Sequence, residues 1–71
     1  MPKLPIVSGQ DAVRALQRLG FEVTRQRGSQ IVMRRGSSGC VVANHREIKV
    51  GTLSGLIRQA GISVEDFIAS L

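Results

Sequence analysis

The 71-residue sequence contains one cysteine, Cys40, and one histidine, His45. A single cysteine excludes an intramolecular disulfide, and together the two residues supply too few ligands for a zinc site built on these residue types. No apolar run approaches the roughly 20 residues that a membrane-spanning helix needs. Residues 1–7 include two prolines and a lysine, which is unlike a signal peptide. We therefore expect no metal or other cofactor, no membrane segment and a location in the cytoplasm.

Aromatic residues are also scarce, with two phenylalanines and neither tryptophan nor tyrosine. This composition disfavours an RNA-binding surface on which bases stack against exposed rings. Acidic residues number five against ten lysines and arginines, which gives a formal net charge of +5. Eight of the ten are arginines, whose planar guanidinium forks suit phosphate groups. An anionic partner is therefore expected.

The pattern of apolar residues predicts a single domain, residues 1–71, with helices and strands in a definite order. Helices are predicted over residues 9–19, from Gly51-Thr52 onward, and after Ser63. Alternation and short turns predict three strands, Phe21 to Gln26, Gln30 to Arg35 and Cys40 to Ala43. Sequential strands with short connections form an antiparallel meander. The expected fold is an α+β sandwich whose helices cover one sheet face and leave the other open.

Specific residues mark the expected helix ends. Ser8 with Asp11 resembles a capping box at the start of the first helix, and Gly20 is expected to end that helix in a left-handed conformation. Gly61 should stop the second helix, and Ser63 should cap the third. The third helix is expected to bury one side, which includes Phe67 and Leu71.

Four arginines, Arg25, Arg27, Arg34 and Arg35, fall within eleven residues on the predicted first hairpin, with no acidic residue between them. In an antiparallel hairpin the first two lie near the turn and the last two at the far end. They therefore mark a strip that suits the phosphates of a nucleic-acid backbone. The alternative is a solvated face that only keeps the protein soluble.

Few side chains in this sequence are suited to proton transfer. His45 is the one residue whose unperturbed titration lies near neutral pH, and it follows the third predicted strand in a polar loop. A surface or hydrogen-bonding role is the alternative for it. Gln30 is, by itself, a polar strand residue after a Gly28-Ser29 turn. Ser29 has no base near it in the sequence, and Cys40 suits a small core position.

Five segments follow one another in an order and spacing typical of one family: residues 3–9, 19–21, 25–29, 44–53 and 58–63. Together they resemble the HicA toxin family, also described as YcfA-like RNA-binding proteins, over essentially the whole chain. The resemblance implies a fold like that of a double-stranded-RNA-binding domain. It also implies a toxin that cleaves messenger RNA without a metal, and an antitoxin, HicB, that covers its active site.

The resemblance gives the hairpin and the loop after the third strand a role in RNA binding. Gly28 and Ser29 would shape the turn that presents position 30, and the hairpin arginines would hold phosphates. Arg46 and Lys49 would extend the same surface. The predicted RNA-binding residues are thus Arg25, Arg27, Gly28, Ser29, Arg34, Arg35, Arg46 and Lys49.

One departure from the family concerns its catalytic histidine, which directly follows the Gly-Ser turn, where this chain has Gln30. Metal-free RNA cleavage needs groups that move protons, and a glutamine amide can only form hydrogen bonds. Losing one acid–base group typically lowers the rate by about 10²–10⁴-fold. We therefore expect a folded, RNA-binding and catalytically impaired endoribonuclease. A second departure, Ala43 where relatives commonly have proline, affects the rigidity of the loop.

Three explanations of Gln30 remain open at this point. It is an inactivating substitution introduced by design, a natural variant that has kept binding, or a position whose role His45 has taken over. The third explanation requires His45 to lie near Gln30. The resemblance therefore implies the toxin component of a type II toxin–antitoxin system, and the alternative is a non-catalytic RNA-binding or regulatory module.

Overall fold

The structure is a computed structural model that describes residues 3–71. Its elements are α1 (Gly9–Arg18), β1 (Glu22–Arg27), β2 (Gln30–Arg35), β3 (Ser38–Ala43), α2 (Val50–Ala60) and α3 (Val64–Ala69). The strands form one antiparallel sheet in the order β1-β2-β3. This confirms the predicted α+β order of a helix, a three-stranded meander and two helices. None of the helices within residues 3–71 combines the length and apolarity that crossing a bilayer requires.

The predicted capping box is present at the start of α1. The backbone N–H of Asp11 donates to the Ser8 hydroxyl, and the Ser8 N–H donates to the Asp11 carboxylate, each at 3.1 Å. These bonds satisfy two amide groups that a helix start otherwise leaves without partners. The backbone hydrogen bond from Ser8 is the main reason why the pKa of Asp11 is lowered.

Glycines end the first two helices, as predicted. Gly20 has φ +96° and Gly61 has φ +74°, both in the left-handed region that favours glycine. The amides of Gly20 and Phe21 donate back to carbonyls of the last turn of α1, which forms a Schellman motif. Ser63 accepts a hydrogen bond from the backbone N–H of Asp66 at 3.0 Å and so caps α3.

One face of the sheet packs against the helices. Ile31 and Met33 of β2, with Cys40 and Val42 of β3, are buried in the core that they share with all three helices. Because side chains alternate along a strand, the residues between them point to the opposite face. Strand β1 contributes no buried residue, since all six of its residues are exposed. The core therefore lies between the helices and the β2–β3 half of the sheet.

Some predicted boundaries and contacts were wrong. The second turn is Gly36-Ser37, so β3 begins at Ser38 rather than at Cys40, and α2 begins at Val50 rather than at Gly51. Phe21 lies before β1, with its ring buried. Leu71 is 44% exposed, because α3 ends at Ala69 and no longer aligns that side chain with the core. Proline disfavours a helical conformation in the residue before it, so Pro2 is expected to hold the first residues extended, and it lies outside the described residues.

The N-terminal segment pairs with the loop between β3 and α2, a contact that the sequence did not indicate. Val7 and Ile48 form an isolated antiparallel bridge, and the N–H of Gly9 donates to the carbonyl of His45 at 2.8 Å. A Cβ at Gly9 would lie 2.4 Å from the carbonyl oxygen of Ala43. The start of α1 is therefore packed directly against the backbone at the end of β3.

Candidate nucleic-acid interface

The sheet register arranges the exposed face as three cross-strand rows. Residues that are paired across strands share a face, with Cβ atoms about 5 Å apart. From the hairpin turn toward the far end, and from β1 to β3, the rows are Arg27–Gln30–Ala43, Arg25–Val32–Val41 and Glu22–Arg34–Gly39. We call this surface the open face. Three of the four hairpin arginines therefore lie on the same side of the sheet as Gln30.

A β-bulge in β1 places two of these arginines on the open face. Val23 pairs with the buried Met33, and strict alternation would put Arg25 on that same core side. The register shifts between Val23 and Arg25, so that Arg25 pairs with Val32 instead. The extra residue is Thr24, whose hydroxyl donates to the carbonyl of Val32 at 3.3 Å. The bulge thus reverses the side on which every later residue of β1 lies.

Gln30 is exposed at the first position of β2, directly opposite Arg27. The turn before it contains Gly28 with φ +55°, a conformation that favours glycine. The carbonyl of Ser29 accepts a hydrogen bond from the N–H of Asn44 at 2.7 Å, which fixes the turn to the end of β3. Position 30 is therefore held on a defined backbone, with Arg27 as its cross-strand partner.

Arg35 has a different environment from the other hairpin arginines. Its guanidinium carbon lies 4.8 Å from the centroid of the Phe21 ring, and its Nη1 donates to the carbonyl of Leu19 at 2.7 Å. A cation over an aromatic face is stabilised by the ring quadrupole. Side chains alternate along β2, and Gln30 and Arg34 lie on the open face. Arg35, the residue after Arg34, therefore lies on the core side. Arg35 therefore joins the end of α1 to the end of β2.

The remaining predicted residues lie in the segment between β3 and α2. Arg46 and Lys49 are both exposed, and Lys49 precedes α2 without a capping bond from its side chain. His45 is exposed, and its backbone N–H donates to the carbonyl of Ala43 at 2.9 Å. Ala43 pairs with Gln30, so the backbone of His45 follows the same end of the sheet. Among residues 3–71, no hydrogen bond joins the His45 and Gln30 side chains.

The charge on the open face is predominantly positive. Glu22 is the one acidic residue in the three rows, and it lies opposite Arg34. The ion pair present within the described chain joins Arg14 and Asp11, at 3.9 Å, away from this face. In residues 3–71, no three His, Cys, Asp or Glu side chains are grouped so as to hold a metal ion. The face is therefore suited to phosphate groups.

A comparison with protein families matches residues 9–62 to the family described as the HicA toxin of bacterial toxin–antitoxin systems. This match covers more than half of the chain. The chain belongs to the HicA toxin family. Searches of curated proteins and of solved structures found no match. Membership in the HicA family implies an antitoxin as partner. The matched residues run from the start of α1 to just beyond α2 and include position 30 and all four hairpin arginines.

The sequence of this HicA family chain assigned no role to Val32 and Val41, the two valines of the middle row. Cys40 to Ala43 was predicted to be a short apolar strand, without distinguishing its two sides. Alternation places Val42 in the core and Val41 outward, where Val41 is 40% exposed. The sequence did contain a signal for the outward position of one valine. Val41 and Val42 are adjacent in one strand, so they cannot both face the core.

Proposed function

We propose that this single-domain chain is the toxin of a type II toxin–antitoxin system, acts in the cytoplasm, and binds messenger RNA on the open face. It has the scaffold of a metal-independent mRNA interferase, a hydrolase that cleaves RNA internally, and its activity is impaired by Gln30. Membership in the HicA family supports the toxin assignment. The observation that carries the site is the exposed position 30, fixed beside Arg27 on a face with two further arginines.

The chemistry explains why Gln30 limits the reaction. In metal-free cleavage a base removes the proton of the ribose 2′-hydroxyl, whose oxygen attacks the adjacent phosphorus. The bond from phosphorus to the 5′-oxygen breaks, and an acid protonates the leaving oxygen. The amide of Gln30 provides neither step. Arg27 and Arg25 stabilise negative charge that develops on the phosphoryl oxygens. Binding is therefore retained while proton transfer is lost.

A second candidate is a non-catalytic RNA-binding or regulatory module, and Gln30 itself favours it. An exposed amide beside arginines forms hydrogen bonds to RNA without reacting. The two candidates agree on RNA binding and differ on whether the rest of the site still supports cleavage. Substitution of Gln30 by histidine distinguishes them.

The RNA-binding proposal predicts a strong dependence on salt. Each phosphate contact releases counterions, so the logarithm of the affinity should fall linearly with the logarithm of salt concentration. Each single substitution to alanine, at Arg25, Arg27 or Arg34, should reduce the magnitude of this slope by about 0.7, the value for one phosphate contact to a single strand. Fluorescence anisotropy with a labelled RNA at several salt concentrations measures it. Binding that is independent of salt would contradict the proposal.

Arg35→Ala is the matched control for these substitutions. Alanine removes the same charge, together with the planar group that lies over Phe21 and bonds to Leu19. We expect a lower melting temperature and an unchanged salt dependence of RNA affinity. A salt dependence that falls as much as in Arg25→Ala would place Arg35 among the phosphate contacts.

An antitoxin of the HicB type should cover the open face with acidic residues. We expect the product of the neighbouring gene to co-purify with this chain at low salt. Charge reversal at Arg25 and Arg27 should abolish co-purification, whereas Arg58→Glu, on the exposed side of α2, should leave it intact. Retention of the complex after charge reversal on the open face would show that the antitoxin binds elsewhere.

A further inference from the structure

An aliphatic patch lies in the middle of the open face. Val32 and Val41 are cross-strand partners, and Arg25 adjoins them on β1. Val32 is half-buried and Val41 is 40% exposed. The two neighbouring rows carry Arg27 and Arg34, each about 7 Å away along the strands. The patch is therefore apolar and has arginines beside it on β1 and β2.

We propose that the Val32–Val41 patch contacts an unpaired base of a single-stranded RNA whose phosphates are bound by the surrounding arginines. This inference rests on the RNA-binding function proposed above. It further specifies that a base of the RNA, and not only its phosphates, contacts the sheet. The arginines account for affinity toward any polyanion. The valines contribute only where the ligand also presents an apolar surface.

The patch favours a single strand over a duplex. An A-form duplex stacks its bases inside and presents phosphates, riboses and base edges. An unpaired base exposes a flat apolar face, which loses little by leaving water and gains from contact with aliphatic groups. Two valines between arginines are therefore matched to a base with its flanking phosphates, and they offer nothing to a duplex backbone.

The aromatic residues of the chain are not available for this contact. Phe21 is 2% exposed and Phe67 is fully buried, and the sequence has no tryptophan or tyrosine. Apolar contact with a base on the open face is therefore supplied by aliphatic side chains. The row next to the patch begins with Arg27 and carries Gln30, so a base on the patch places a neighbouring phosphodiester near position 30.

Isosteric substitutions test the patch. Threonine keeps the branched shape that suits a strand and replaces one methyl group by a hydroxyl. We expect Val41→Thr and Val32→Thr each to weaken affinity for an unstructured RNA of about 12 nucleotides by about threefold to tenfold. The salt dependence should stay unchanged, because no phosphate contact is lost. Affinity for the same backbone without bases should not change.

Val23→Thr is the matched control. Val23 is 44% exposed in the same sheet, but it pairs with the buried Met33 and lies on the opposite side from the patch. It should leave RNA affinity unchanged, and circular dichroism should show all three variants folded. Equal affinity of the unmodified chain for the base-containing and base-free strands would overturn the inference, as would unchanged RNA affinity in both patch variants. A loss confined to antitoxin binding would reassign the patch to the protein partner.

The same measurements distinguish an error in the proposed RNA-binding function from an error in the base contact alone. If the unmodified chain binds no RNA at low salt, the proposed RNA-binding function is wrong and the inference falls with it. If the chain binds RNA with the expected salt dependence while the patch variants match it, only the base contact is wrong.

Discussion

Gln30→His is expected to raise ribonuclease activity by about 10²–10⁴-fold, the usual contribution of one acid–base group. The histidine would occupy an exposed position on the open face, beside Arg27, without disturbing a packed side chain. Induced expression should then arrest growth and degrade RNA, whereas expression of the unmodified chain should do neither. Growth curves and RNA gels measure both effects. The pH dependence of the rate should also follow the ionisation of the new imidazole.

His45→Ala, alone and combined with Gln30→His, is the control for the competing explanation. His45 follows Ala43, the strand partner of Gln30, so its backbone lies at the same end of the sheet. If the unmodified chain already degrades RNA and His45→Ala abolishes that activity, His45 carries the proton transfer. If the Gln30→His variant is soluble and inactive, the site has changed beyond residue 30, and the non-catalytic RNA-binding module becomes the better description.

Gly9→Ala is expected to destabilise the fold by about 1–3 kcal/mol, the range for forcing extra atoms into a packed site. A Cβ at this position would lie 2.4 Å from the carbonyl oxygen of Ala43 and 2.6 Å from the Cα of Asn44. Both are backbone atoms, so they cannot move aside as a flexible side chain would. The substitution should also strain the hydrogen bond from the Gly9 N–H to His45. Urea unfolding followed by circular dichroism gives the free energy of unfolding.

Gly55→Ala is the matched control for this prediction. Gly55 lies within α2, is exposed, and has nothing within 4 Å of an added Cβ. Alanine should stabilise that helix by about 0.5–1 kcal/mol through its higher helix propensity. The same substitution should therefore have opposite signs at the two sites. Stabilisation by both would show that α1 does not approach β3 as closely as described.

Local sequence signals predicted the elements well because their causes are local. The Ser8–Asp11 box and the glycine that ends α1 act within a few residues, and both are present. The predicted second strand, Gln30 to Arg35, has the same bounds as β2. Helix and strand boundaries differed by one or two residues where short turns extended less far than their composition suggested.

The side on which the arginines lie could not be obtained from alternation. A strict alternation through β1 groups Arg25 with Val23, which lies on the core side of the sheet. The bulge at Thr24 depends on how β1 aligns with β2, and its cause is the tertiary register rather than the sequence of β1 alone. The packing of the Arg35 guanidinium likewise depends on the ring of Phe21, fourteen positions earlier in the chain.

The sequence by itself determined the order of elements, the excess of positive charge, the family to which the chain belongs and the presence of glutamine at position 30. Each follows from residue identity or from contacts between near neighbours in the chain. Only the tertiary structure decided which arginines share a face with Gln30, that Val32 and Val41 form a patch between them, and why Gly9 must lack a side chain. These features arise when segments distant in sequence are brought together, and a single bulge is enough to reverse the side on which a side chain lies.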